Sequence, residues 1–313
     1  TSEVLGEGSF GLVLAGSFHG SQVAVKVAKM HDAWGSEHHG ALASFLNEAK
    51  ILRRLRHPNI ALFYGASISP SEGEVCLVLE RLRGVPLTAA VLEGDLQKQA
   101  LPPSDLLRAL LDVCQALRYL HSRQPAVVHG DLTPQNTHAE MAPGSPGLIR
   151  AKLLDFGLSR LLTRHAEPPG GSLQWMAPEV VLGQSAPRLS SDVFSFGRLA
   201  FFTLTGESPC QVSRITLRQQ LRAGRVPELA WSADASTLAC ACQALVEACS
   251  SAKAGDRPTM AEAHRQLEAL EGRGAAPSQE PEPPRIAEGH GGPPATPEEV
   301  QEEPGQGGQG ELW

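Results

Sequence analysis

The sequence predicts an α+β chain built as two unequal lobes and a tail. Three observations predict it. Short β-branched runs punctuated by Gly and turn residues fill the first 82 positions. Apolar residues at helical spacing dominate from residue 104 to 270. From Gly272 onward Gly, Pro, Gln and Glu replace almost everything apolar. With 313 residues, 42% of them apolar, the chain can bury a large core.

In order, Val4-Leu5 leads into Gly6-Glu7-Gly8-Ser9-Phe10-Gly11-Leu12-Val13. Leu14 to Phe18 reads as a strand, His19-Gly20-Ser21 as a turn, and Val23-Ala24-Val25-Lys26-Val27 as another strand. A Gly-x-Gly-x-x-Gly also announces dinucleotide sites, but those run strand, glycines, helix. Here a strand follows, so an oxidoreductase reading fails and the glycines form a hairpin. Such a hairpin lets backbone N–H groups approach phosphates with no Cβ in the way. Lys26 lies in an apolar strand, where a cation is costly unless paired. Phe45, Leu46, Ala49, Leu52 and Leu55 mark a helix, and Glu48 beside that stripe is the expected partner. Between them, His31 to Gly40 holds three histidines and two acids, yet its unpatterned setting favours a loop over a metal site. Arg56-His57-Pro58 is expected to end the helix, because the residue before Pro avoids helical geometry.

Residues 61–82 give two further strands around the turn Ser69-Pro70-Ser71-Glu72-Gly73, the second being the apolar run Glu74 to Glu80. Arg83-Gly84 marks the division between lobes. Ser104 is the expected N-cap of a helix carrying Leu106, Leu107, Leu110, Leu111, Cys114, Leu117 and Leu120. Ser190 and Ser191 precede an apolar helix over 192–205, and 213–223, 234–250 and 259–270 read as helices. The expected organisation is therefore 1–83, 84–271 and a tail, 272–313. The tail cannot offset its ordering entropy and should be disordered, with Leu312-Trp313 a free end.

The net charge of −7 is concentrated in that tail, which holds eight Glu against Arg273 and Arg285. Nothing is basic enough for a nucleic-acid surface. Six cysteines form no C-x-x-C and lie mostly in apolar runs, so they read as buried free thiols in a reducing, cytoplasmic setting. No run of 18 apolar residues occurs, so no membrane span is expected. The chain enters a motif by residue 6 and is expected to be a piece of a longer protein.

The chemistry centres on His129-Gly130-Asp131-Leu132-Thr133-Pro134-Gln135-Asn136, followed nineteen residues after Asn136 by Asp155-Phe156-Gly157. Phosphoryl transfer needs one carboxylate to orient a hydroxyl, and an amide oxygen plus another carboxylate to hold magnesium against phosphates. These strings resemble the catalytic and metal-binding segments of protein kinases. His57-Pro58-Asn59-Ile60, Trp175-Met176-Ala177-Pro178-Glu179, Ser191 to Gly197, Leu204-Thr205-Gly206 and Asp256-Arg257-Pro258 extend the resemblance. They look most like the tyrosine-kinase-like group of Ser/Thr kinases.

The resemblance implies a small antiparallel-sheet N-lobe with one main helix and a larger helical C-lobe. It implies ATP and Mg²⁺ as cofactors, Ser/Thr hydroxyls of protein substrates as acceptors, and a place in signal transduction. Gly6, Glu7, Gly8, Ser9, Phe10 and Gly11, with Val13 and Ala24, would bind ATP, the glycines covering its phosphates. Lys26, held by Glu48, would contact the α- and β-phosphates. Leu79 would be the gatekeeper, and Glu80 to Leu82 the hinge that bonds adenine. Asp131 would orient the substrate hydroxyl, while Asn136 and Asp155 bind magnesium. Glu179 would pair with Arg257, and Asp192 would brace the catalytic loop.

Three residues depart from the family pattern. Gly130 replaces the Arg that answers an activation-segment phosphate. Thr133, among the catalytic residues, replaces a Lys that neutralises γ-phosphate charge. His138 replaces the Leu that floors the adenine pocket. Ser159, Thr163 and Ser172 are the hydroxyls of the short activation segment. The alternative reading is a pseudokinase that acts as a scaffold or allosteric module.

Overall fold

The first three strands form a meander. β1 (Val4–Gly8) pairs antiparallel with β2 (Gly11–Phe18), and β2 with β3 (Ser21–Lys29). The turn between β2 and β3 is His19-Gly20, at φ 48° and 81°. Left-handed angles at both central residues match the twist of a two-residue hairpin. The computed structural model describes residues 3–8, 11–29, 39–69, 74–94, 101–141, 149–156, 159 and 172–274. Ser9, Phe10, residues 30–38, the turn at 70–73, Gly157, Thr163 and everything from residue 275 lie outside these.

β4 (Phe63–Ser69) and β5 (Glu74–Glu80) complete a five-stranded sheet in the order β1-β2-β3-β5-β4. It is antiparallel throughout, as the sequence predicts. α1 (His39–Leu52) packs on it through Phe45 and Leu52, which share a buried cluster with Val75 and Leu77. Three expectations for this helix are corrected. It starts at His39, inside the stretch read as a loop, and it ends at Leu52 instead of Arg56. The early end frees Asn59 to donate to the Ala151 carbonyl at 3.0 Å and lets Leu153 N–H donate to Asn59 O at 2.9 Å. Leu46 is 47% exposed instead of buried. Two residues before the inward-facing Glu48, it projects from the far side of a helix that turns 100° per residue.

A second sheet, not predicted, orders β6 (Val85–Pro86), β7 (Thr137–Met141) and β8 (Ile149–Leu153) side by side. These strands are short and carry too few apolar residues to announce themselves within a helical region. α2 (Leu87–Leu92) follows β6 directly. α3 (Pro103–His121) starts with Pro at its first position, so Pro102 and not Ser104 is the N-cap.

α4 (Pro178–Val181) is a single turn. α5 (Leu189–Thr205) begins before the serines expected to precede it. Ser191 is already inside, where its Oγ accepts from Arg188 N–H at 3.1 Å. α6 (Arg214–Arg222), α7 (Thr237–Cys249) and α8 (Met260–Gly274) follow. α8 continues past residue 271 into what reads as tail. The main core joins α3, α5, α7 and α8 to β8 through residues such as Leu117, Phe196, Val246, Leu267 and Leu153.

Arg198 sits in the middle of α5 at 2% exposure. Its guanidinium donates to the carbonyls of Pro209 at 2.7 Å and Pro227 at 2.9 Å and lies 5.0 Å from the Phe194 ring. Burial lowers its pKa to about 10, so it remains charged at neutral pH. Cys114, Cys242 and Cys249 are buried free thiols, as expected, and burial pushes Cys242 up to about 11 and Cys249 to about 12. Cys76 and Cys210 are only partly buried, and Cys240 is exposed. Among the described residues, no helix is long and apolar enough to cross a membrane.

Candidate active site

Lys26 stands in β3 opposite Val13 of β2 and Leu77 of β5, which fixes its height in the sheet. It is 7% exposed. Its Nζ donates to Glu48 Oε2 at 2.8 Å and to Asp155 Oδ1 at 3.2 Å. Burial alone would lower its pKa, but the Asp155 and Glu48 carboxylates outweigh that and hold it above the ordinary lysine value. Glu48 reaches it because α1 turns this residue, 1% exposed, toward the sheet. The strand lysine and helix glutamate therefore meet as the sequence predicts.

Asp155 arrives from β8. Leu154 N–H donates to Asn136 O at 2.8 Å, which ties the end of β8 to the loop that ends at Asn136. Asp155 adopts φ 55°, a left-handed angle that Asp tolerates better than most residues. Phe156 is fully buried, its ring 4.9 Å from that of His129.

The loop from His129 to Asn136 is held from beneath by α5. Asp192 Oδ2 accepts from His129 N–H and Oδ1 from Gly130 N–H, each at 2.9 Å. His121 Nε2 lies 2.9 Å from the same carboxylate. His129 Nε2 lies 3.1 Å from the Leu154 carbonyl, and its Nδ1 accepts from Asp131 N–H at 3.3 Å. That pattern assigns the ring proton to Nε2. Gly130 adopts φ 80°, open to glycine without strain. Asn136 Nδ2 donates to Asp131 Oδ2 at 2.9 Å and to Asp131 O at 3.0 Å. This leaves the amide oxygen of Asn136 as the acceptor atom of that side chain.

A cleft of 820 Å³ collects most of the expected residues. Gly6, Val13, Ala24 and Lys26 line it from the large sheet, and Glu48 from α1. Leu79, Glu80 and Leu82 line it from the connection between sheets, and Asn136, His138 and Asp155 from the other side. Arg81, inside the expected Glu80 to Leu82 hinge, lines it too, and Leu5, Gln22, Arg83, Gly84, Gln135 and Leu154 also line it and were not predicted. Glu7, Gly8 and Gly11 stand at the tip of the β1–β2 hairpin, where Gly8 pairs with Gly11. Ser9 and Phe10 lie outside the described residues. Asp131 flanks the cleft through its bond to Asn136 without lining it.

Thr133 departs from expectation in its surroundings. It is 5% exposed, and its Oγ1 accepts from Asn136 N–H at 3.2 Å. The hydroxyl serves the loop's own turn and does not face the cleft. His138 lines the cleft with Nδ1 buried and unbonded, and burial lowers its pKa, so the ring is neutral.

The sequence reading missed a second buried lysine. Lys152 of β8 pairs with Glu80 and lies 3.6 Å from Glu140. Glu80 Oε2 also accepts from Leu62 N–H at 3.0 Å. Like Lys26, Lys152 is a lysine inside a buried strand, and the missing signal was β8 itself.

The structural supports stand where expected. Arg257, its side chain fully buried, donates to both Glu179 oxygens at 2.8 and 2.9 Å. Ser191 Oγ adds a bond to Glu179 at 3.1 Å. Ser159 is fully buried and donates to the His129 carbonyl at 2.7 Å.

Comparison with known proteins agrees with this geometry. Serine/threonine-protein kinase CTR1 of Arabidopsis thaliana is 35% identical over 210 residues, 66% of this chain and 24% of the relative. The RAF proto-oncogene serine/threonine-protein kinase of Xenopus laevis is 33% identical over 240 residues, 73% of this chain and 34% of the relative. Mitogen-activated protein kinase kinase kinase 10 of Mus musculus is 36% identical over 213 residues, 66% of this chain and 21% of the relative. The chain thus spans between about a fifth and a third of the length of these relatives. The family model for the protein kinase domain matches residues 1–267, in agreement with the fold and the Lys26–Glu48–Asp155 convergence: the chain belongs to the protein kinase family and is most like its tyrosine-kinase-like group of Ser/Thr kinases.

Proposed function

We propose that this chain is the catalytic domain of an ATP- and magnesium-dependent kinase that phosphorylates Ser and Thr hydroxyls of intracellular signalling proteins. The observation that carries the reading is Lys26 Nζ, bonded to Glu48 and Asp155 inside a cleft that Asn136 also lines. The N-lobe is residues 1–83, the C-lobe runs from 84 to the end of α8 at Gly274, and the remainder is an acidic tail.

The hairpin glycines let backbone N–H groups close on the phosphates, and the 79–82 connection presents backbone to the base. Lys26 neutralises the α- and β-phosphates while Glu48 keeps it extended toward them. Asn136 Oδ1 and the Asp155 carboxylate are the hard oxygen ligands that suit magnesium, and an ion held there would neutralise charge as the γ-phosphoryl moves. Asp131, fixed by Asn136 Nδ2, orients the acceptor hydroxyl and takes its proton. Thr133 supplies no cation, so turnover is slower than with a lysine there. Gly130 cannot answer a phosphate on the activation segment, so activity does not wait on that switch.

The test is phosphate incorporation into a generic protein substrate with Mg-ATP. Asp131→Ala and Lys26→Met should each lower the rate by about 10²-fold or more. Equal background from the wild type and both variants would overturn the reading in favour of a scaffold. The engaged hydroxyl of Thr133 is the observation that favours that second reading. A thermal shift with Mg-ATP then tells whether the scaffold binds nucleotide, since a ligand of the native state raises its apparent stability.

A further inference from the structure

We propose that the cavity on the back of α1 is a docking site for an acidic segment of a partner protein, anchored by one apolar side chain. The cavity has a volume of 540 Å³ and lies between α1 with its following turn and the Arg123–Val127 stretch after α3. It is separate from the nucleotide cleft, with which it shares no lining residue.

Its chemistry is one-sided. Lys50, Arg54 and Arg123 line it, and no carboxylate does. Among the described residues none of these three cations enters an ion pair, whereas Lys26, Arg81, Arg108, Lys152 and Arg257 all do. Leu46 and Lys50 fall on one stripe of α1, four residues apart, and Arg54 continues the row just past its end. Ile51 and Val127 supply a buried apolar floor, and Leu46 stands at 47% exposure. Arg123 lies 5.1 Å from the Tyr119 ring, and Lys50 and Arg54 stand beside Leu46 and the concavity with no carboxylate to answer them.

The occupant follows from charge complementarity. Carboxylates spaced along a peptide would meet the three cations, and an apolar side chain between them would enter the cavity and cover Leu46. A nucleic acid would instead need a broad basic face tracking a backbone. The same helix carries Glu48 and Asn47, and Asn47 donates to the Ser159 carbonyl, so the occupant would rest against the support of the Lys26 pair.

Fluorescence anisotropy of the full chain with a labelled nonapeptide of alternating Glu and Leu tests this. An alternating Lys and Leu nonapeptide is the control. The acidic peptide should bind and the basic one should not. Lys50→Glu with Arg54→Glu should weaken binding by about tenfold or more, and Leu46→Ser by several-fold. Arg214→Glu with Arg218→Glu, on α6, should change it by less than about twofold if attraction is local. Should the double reversal fail to fold by its melting profile, Lys50→Gln with Arg54→Gln takes its place, with weakening again expected. No binding by the wild type, binding indifferent to the α1 changes, or equal loss from the α6 reversal would each overturn the proposal.

Discussion

Single side chains carry most of the site's logic. Lys26 is stable in an apolar strand only because two carboxylates reach it from different elements. Replacing Glu48 by Gln removes one of them and leaves Asp155. Activity should drop by about 10-fold or more, with phosphate incorporation as the readout. Gly130 shows the converse, a residue defined by what it lacks. At φ 80° its conformation suits glycine, and Gly130→Ala should cost about 1–2 kcal/mol in urea denaturation. His138 keeps a buried, unbonded Nδ1 against the cleft. His138→Leu removes that orphan, so the ligand-free protein should gain about 1 kcal/mol, seen as a higher melting temperature.

At the scale of elements, α5 is the pillar. It holds the catalytic loop through Asp192, the end of the activation segment through Ser191, and two distant carbonyls through Arg198. Gly197 in its middle shows which of two effects wins. Helix propensity alone says that Gly197→Ala should stabilise by about 1 kcal/mol. A Cβ there would lie 2.6 Å from Ser250 Oγ, 2.8 Å from Cys249 Cβ and 3.0 Å from Ser250 N. The first atom could rotate away, but the last is backbone and belongs to the end of α7. Overpacking should dominate, and Gly197→Ala should destabilise by about 1–3 kcal/mol, measured by urea denaturation. A neutral or stabilising result would mean that α7 can slide on α5.

For the molecule as a whole, the Glu179–Arg257 bridge fastens α4 to the chain entering α8. Burial works to raise the Glu179 pKa, but hydrogen bonds and charge from Arg257 prevail and hold it below the ordinary glutamate value. A carboxylate whose folded pKa is depressed contributes stability above its unfolded pKa, near 4.3, and loses it as pH falls through the folded value. Stability should therefore decline on acidification below about pH 4.3, and Glu179→Gln should flatten that part of the pH profile. At neutral pH the same substitution leaves Arg257 buried without its partner and should cost about 3–5 kcal/mol. Thermal melts of both proteins across pH 3 to 7 check both statements.

The sequence by itself determined the order of strands and long helices and which residues meet at the cleft. Lys26, Asp131, Asn136 and Asp155 are legible because their chemistry demands fixed types at fixed spacing, and the hairpin glycines because only a strand follows them. Long helices such as α3 and α5 are legible because their apolar period repeats over many turns. The tertiary structure decided what local pattern cannot encode. β6, β7 and β8 exist because they pair with one another, and with them came Lys152 and its grip on Glu80. Whether Leu46 faces core or water depended on how α1 turns Glu48 toward β3. Thr133 looked like a residue facing phosphate, yet the loop's curvature gave its hydroxyl to Asn136. In each case the deciding energy is burial or pairing between residues far apart in the chain, and no window of neighbouring residues contains it.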